Sequence, residues 1–81
     1  MSRTHYFAMA YRKSNGNPCL FKCEYLSKKA LVEEIEYWGN AVSKVWTAEE
    51  FDAALEDWTD YDADTEEAYD YIKGHGAARM L

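Results

Sequence analysis

The sequence predicts an α+β fold: a small single domain in the order ββαβαα, with a three-stranded sheet that contains an N-terminal antiparallel hairpin and helices packed on one of its faces. Three observations predict it. Residues 4–12 and 19–26 alternate as strands do around an Asn-Gly reversal, Thr47-Ala48-Glu49-Glu50 has the form of a capping box, and the apolar residues after it recur at helical spacing. Eighty-one residues support one core, so the domain spans 1–81.

The first strand, Thr4–Arg12, puts His5, Phe7, Met9 and Tyr11 on one face. The second, Cys19–Leu26, turns Cys19, Phe21, Cys23 and Tyr25 inward with Lys22 and Glu24 outward. Between them, Lys13-Ser14-Asn15-Gly16-Asn17-Pro18 supplies the tight turn. Ser27 caps the first helix, with Leu26 and Leu31 at the spacing of a hydrophobic staple. Leu31, Ile35 and Trp38 make its apolar stripe, and Gly39-Asn40 is a left-handed stop. Lys28 and Lys29 in its first turn oppose the helix dipole, a small cost read here as tolerated.

Ala41–Trp46 reads as the third strand. The capping box follows, and Trp46 with Phe51 repeats the staple spacing. Phe51, Ala54, Leu55 and Trp58 stand at i, i+3, i+4, i+7, so that helix docks one face on the sheet. Asp60–Asp64 reads as a linker. Asp64 to Glu67 starts a last helix that ends near Lys73 before Gly74, with Ala68, Tyr71 and Ile72 inward; residues 75–81 read as a flexible tail.

Charge is distributed one-sidedly. Between Val45 and Ile72 stand eleven carboxylates and no lysine or arginine, whereas Met1–Lys44 carries seven basic and four acidic residues. Glu49, Asp52 and Glu56 share a helix stripe, and Glu66 and Asp70 are i, i+4. Like charges so placed cost a helix roughly 0.2–0.5 kcal/mol per pair. First-turn preference accounts for Glu49, Glu50, Asp64, Glu66 and Glu67, but not for Asp52, Glu56, Asp57, Asp60, Asp62 and Asp70 as well. An acidic face of this kind suits a groove of lysine and arginine that otherwise holds a nucleic-acid backbone. Tyr61, alone among acids, reads as its exposed aromatic anchor.

Other chemistry finds little support. Asp60, Asp62 and Asp64 match the first ligand positions of an EF-hand loop, but Thr65 stands where the turn glycine belongs and Tyr71 where the bidentate glutamate belongs. Cys19 and Cys23, four residues apart on a strand, are separated by roughly 13 Å, beyond the reach of about 7 Å for a disulfide. No glycine-rich phosphate loop or Cys/His constellation occurs, so no enzyme activity, cofactor or metal is expected. Arg3, Arg12, Lys13, Lys22, Lys28 and Lys29 are scattered and the net charge is −6, which opposes direct nucleic-acid binding. No apolar run approaches the roughly 18 residues of a membrane span, and the N-terminus lacks an apolar signal core, so a cytoplasmic location is expected.

In size and charge architecture, with carboxylates on helix faces from Glu49 to Asp70, the chain resembles the small acidic anti-defence proteins of phages and mobile elements, the anti-CRISPR kind. The resemblance implies a non-enzymatic inhibitor that binds a basic nucleic-acid-binding protein, a CRISPR effector subunit or nuclease, often by imitating DNA. The contacts would be Glu49, Asp52, Glu56, Asp57, Asp60, Tyr61, Asp62, Asp64, Glu66, Glu67 and Asp70, on a monomer or homodimer. The alternative is a regulatory adaptor or homo-oligomeric interaction domain whose acidic face is only solvated, with its interface on Tyr6, Ala8 and Ala10 or on a strand edge.

Overall fold

The alternation in the first 25 residues folds as the expected antiparallel hairpin of β1 (Thr4–Arg12) and β2 (Pro18–Tyr25), with Ala8 opposite Phe21 and Ala10 opposite Cys19. The structure is a computed structural model describing residues 4–57 and 62–81. At the reversal, Gly16 N–H donates to the Arg12 carbonyl and Asn17 N–H to the Asn15 side chain at 2.9 Å. Then follow α1 (Lys28–Tyr37), β3 (Asn40–Thr47), α2 (Ala48–Glu56), α3 (Ala63–His75) and β4 (Arg79–Met80).

The sheet has four strands, not three, in the order β3-β1-β2-β4. The fourth lies in the segment expected to be a tail: β4 runs parallel to β2, with Phe21 opposite Arg79, and Leu81 N–H donates to the Lys22 carbonyl at 3.1 Å. Two residues are too few to show a strand period, which is why the pattern did not reveal it. The element order is therefore ββαβααβ. α3 also runs past the expected stop at Gly74. It ends at Gly76, whose φ of +82° is the left-handed conformation glycine adopts at least cost, with its N–H on the Ile72 carbonyl at 2.7 Å.

Helices cover both faces of the sheet, not one. The cause is β1, in which Tyr6 to Tyr11 is an unbroken apolar run, the pattern of a strand buried on both sides. Tyr6, Ala8 and Ala10 pack with Phe21, Cys23, Leu31 and Ile35 beneath α1. Met9 and Leu20 pack with Trp46, Phe51 and Ala68 beneath α2 and α3, joined by half-buried Phe7, Tyr11, Leu55, Tyr71 and Ile72. Tyr6, Ala8 and Ala10 are thus core residues and offer no outer surface. Phe51 anchors the second cluster, stacked on Phe7 at 4.3 Å between centroids and edge-on to Trp46 at 5.1 Å. That contact realises the second expected staple.

Local signals at the other helix starts are realised in part. Ser27 Oγ accepts the Ala30 N–H at 3.1 Å, yet Leu26 is 57% exposed, so the first staple does not bury its leading residue. Trp38 leaves the α1 stripe: it is the C-cap and 65% exposed, while Gly39, at φ +86°, makes the expected stop. Thr47 and Glu50 form both hydrogen bonds of the capping box. Asp62, not Asp64, caps α3 by accepting the Thr65 N–H at 2.7 Å. Trp58, the last residue of the expected α2 stripe, lies outside the described residues.

Candidate functional site

α2 and α3 lie on the same face of the sheet and touch one another. Burial of Phe51 fixes the rotation of α2 and leaves Glu49, Asp52 and Glu56 exposed, followed by exposed Asp57 at the C-cap. Burial of Thr65 and Ala68 fixes α3 and leaves Glu66, Glu67 and Asp70 exposed. Seven carboxylates from two helices therefore reach solvent on one side of the molecule. Asp60 and Tyr61 lie outside the described residues.

The remaining two expected contacts, Asp62 and Asp64, have partners within the fold, and so does Glu50. Glu50 accepts its own cap N–H from Thr47 and the Lys28 ammonium, each at 2.9 Å. The backbone bond and then the Lys28 bond lower its pKa to about 2. Lys28 is thus engaged rather than merely tolerated in the first turn of α1. Asp62 pairs with Lys44 at 2.7 Å, and that bond, followed by the Thr65 N–H, lowers its pKa to about 2. Asp64 is half-buried and accepts the Ser43 hydroxyl.

A β-bulge sets up the last two contacts. Met9 opposes Lys44 while Ala10 opposes Val42, so Ser43 is the inserted residue of β3. Ser43 and Lys44, consecutive in sequence, both reach the first turn of α3. Tyr11 at the far end of β1 also senses this helix: burial first, then the charges of Glu67 and Asp64, raise its pKa.

Among the described residues no group of three or more His, Cys, Asp or Glu side chains is placed to hold a metal ion, and no helix is long and apolar enough to cross a membrane. Cys19 and Cys23 are free thiols, the latter raised in pKa by burial. His5 lies 3.1 Å from Glu24 on the exposed side of the hairpin. His75, expected in a tail, is the last residue of α3 and stacks on Tyr71 at 4.1 Å.

A second concave feature escaped the sequence reading. At the β4 edge of the sheet, between the ends of α1 and α3, a groove of about 800 Å³ opens, bounded by Arg12, Cys19, Phe21, Trp38, Tyr71 and Arg79 among others. Its residues come from six separate elements, so no motif could announce it. The one available signal was Trp38, a tryptophan beside a helix stop. Comparison with protein-family models, curated proteins and solved structures gives no match to this chain.

Proposed function

We propose that the protein is a non-enzymatic inhibitor of the anti-CRISPR kind, which occupies the basic nucleic-acid-binding groove of an effector or nuclease with the acidic side of α2 and α3. The observation that carries this reading is the exposure of Glu49, Asp52, Glu56, Asp57, Glu66, Glu67 and Asp70 on two helices fixed against one sheet face. A rigid display loses little conformational freedom on binding, and its charge speeds encounter with a basic partner. Glu50, Asp62 and Asp64 hold the display in place through Lys28, Lys44 and Ser43.

The test is capture from a bacterial lysate that contains CRISPR effectors and nucleases, with elution in salt steps and competition by duplex DNA. The reading expects a nucleic-acid-binding protein that elutes at moderate salt and is displaced by DNA. It also expects that capture is lost in the triple variant Asp52→Lys, Glu56→Lys, Glu66→Lys while its circular dichroism is retained. Undiminished capture by the folded variant overturns it.

A second reading, a self-associating adaptor domain, is favoured by one observation: β3 is an eight-residue strand at the edge of the sheet, with β1 on one side only. Sedimentation at two concentrations separates the readings. A salt-insensitive dimer supports self-association.

A further inference from the structure

We propose that the groove over β2 and β4 binds a small planar anion, an aromatic body bearing a carboxylate or phosphate. The site opens at the β4 edge of the sheet, where Tyr71 and His75 from the last turns of α3 also line it, and it uses none of the carboxylates of the function proposed above.

Strand register builds it. Cys19 and Phe21 share a face with Ala10 and Ala8, and the pairing of Phe21 with Arg79 puts Arg79 on that face too. Arg12 opposes Asn40, which is buried under α1 and donates to the Ile35 carbonyl at 3.3 Å, so Arg12 belongs to the same face. α1 lies mainly over β3 and touches β2 little, so the groove opens beside half-buried Cys19 and the 9% of Phe21 that stays exposed. The resulting groove, about 800 Å³, is of small-molecule size.

Two features select the ligand. Arg12 and Arg79 both line the groove, and neither forms an ion pair with any described carboxylate. In a chain of net charge −6, two unpaired guanidiniums on one groove are complementary to an anion, and a guanidinium matches a carboxylate or phosphate with paired N–H donors. Trp38 also lines the groove, its indole exposed but held by the Glu34 carboxylate at 3.2 Å and by an edge contact with Tyr37. Glu34 is the acidic member of the wall and lies on α1. It therefore repels an anion from the α1 rim and leaves that side to the ring of the ligand. The acid group goes to the arginines and the aromatic body to Phe21 and Trp38.

The experiment is a titration of isotope-labelled protein, followed by amide and indole resonances, with 2-naphthoate and with its neutral counterpart 2-naphthalenemethanol. Saturable shifts are expected at Cys19, Phe21 and the Trp38 indole, with naphthoate bound roughly tenfold more tightly than the alcohol, a difference of about 1.4 kcal/mol. Arg12→Gln with Arg79→Gln should remove that preference, and Trp38→Ala, at an exposed position, should weaken both probes. The proposal is overturned by lack of saturation at about 5 mM naphthoate, by equal affinity for the two probes, or by a folded double variant that keeps the preference.

Discussion

The Lys44 ammonium stands 2.7 Å from one oxygen of Asp62 while the other oxygen accepts the Thr65 N–H at 2.7 Å, so a single carboxylate caps α3 and ties it to β3. Asp62→Ala removes both and should destabilise the protein by about 1–2 kcal/mol. Lys44→Ala leaves the cap in place and should cost under about 1 kcal/mol, since the pair is exposed. Urea denaturation of the two variants checks the ranking.

Stability should decline in acid through identifiable groups. Asp62 and Glu50 have pKa values lowered to about 2 from 3.8 and 4.5. Depressed carboxylates contribute stability that is complete above their unfolded values and is lost as pH falls through the folded ones. The acid limb should therefore run from about pH 4.5 towards 2. In Lys28→Ala with Lys44→Ala, the dependence over that window should become shallower, as read from denaturation midpoints at stepped pH.

Gly76 offers a clean backbone test. A Cβ there would meet nothing within 4 Å, so Gly76→Ala changes only the cost of holding φ at +82°. The expected loss is about 1–2 kcal/mol, and hydrogen exchange at the Leu81 amide should accelerate, because that amide is held by β2 immediately after the turn.

Phe51 should be the most sensitive position of the second cluster. It is 2% exposed and touches Phe7 and Trp46. Phe51→Ala should cost about 3–5 kcal/mol, enough to unfold a domain this small at ordinary temperature. Thermal denaturation followed by near-ultraviolet circular dichroism would reveal it.

The acidic stripe predicts opposite effects on stability and binding. Asp52→Lys replaces two like-charge neighbours, Glu49 and Glu56, with attractive ones, and should raise stability by a few tenths of a kcal/mol. The same change should weaken capture of a basic partner. A variant both less stable and undiminished in capture would contradict the assignment of that stripe to a partner.

Much of the architecture was legible because it is written locally. The hairpin, the Ser27 and Thr47 caps, the Trp46–Phe51 staple and the inward side of α3 each depend on residues within about four positions of one another. What was not legible is long-range. β4 is recognised only through its pairing with Phe21 and Lys22, and the partners of Glu50 and Asp62 come from α1 and β3. Covering both faces was implicit in the apolar run of β1, which reads equally well as one exposed and one buried face of a hairpin. The acidic residues were visible, but which of them already had partners was not.

The two-sided burial of β1 has a dynamic consequence. Met9 and Ala10, adjacent in sequence, belong to different apolar clusters, and their strand is paired along both edges. Amides of β1 should therefore exchange last, while the edges open first and separately. Loosening of α1 need not loosen α2 beyond the sheet. The central strand acts as a mechanical partition between the α1 and α2 sides, and the two sides meet again at the β4 edge, where the Cys19 thiol lies 3.7 Å from the Tyr71 hydroxyl.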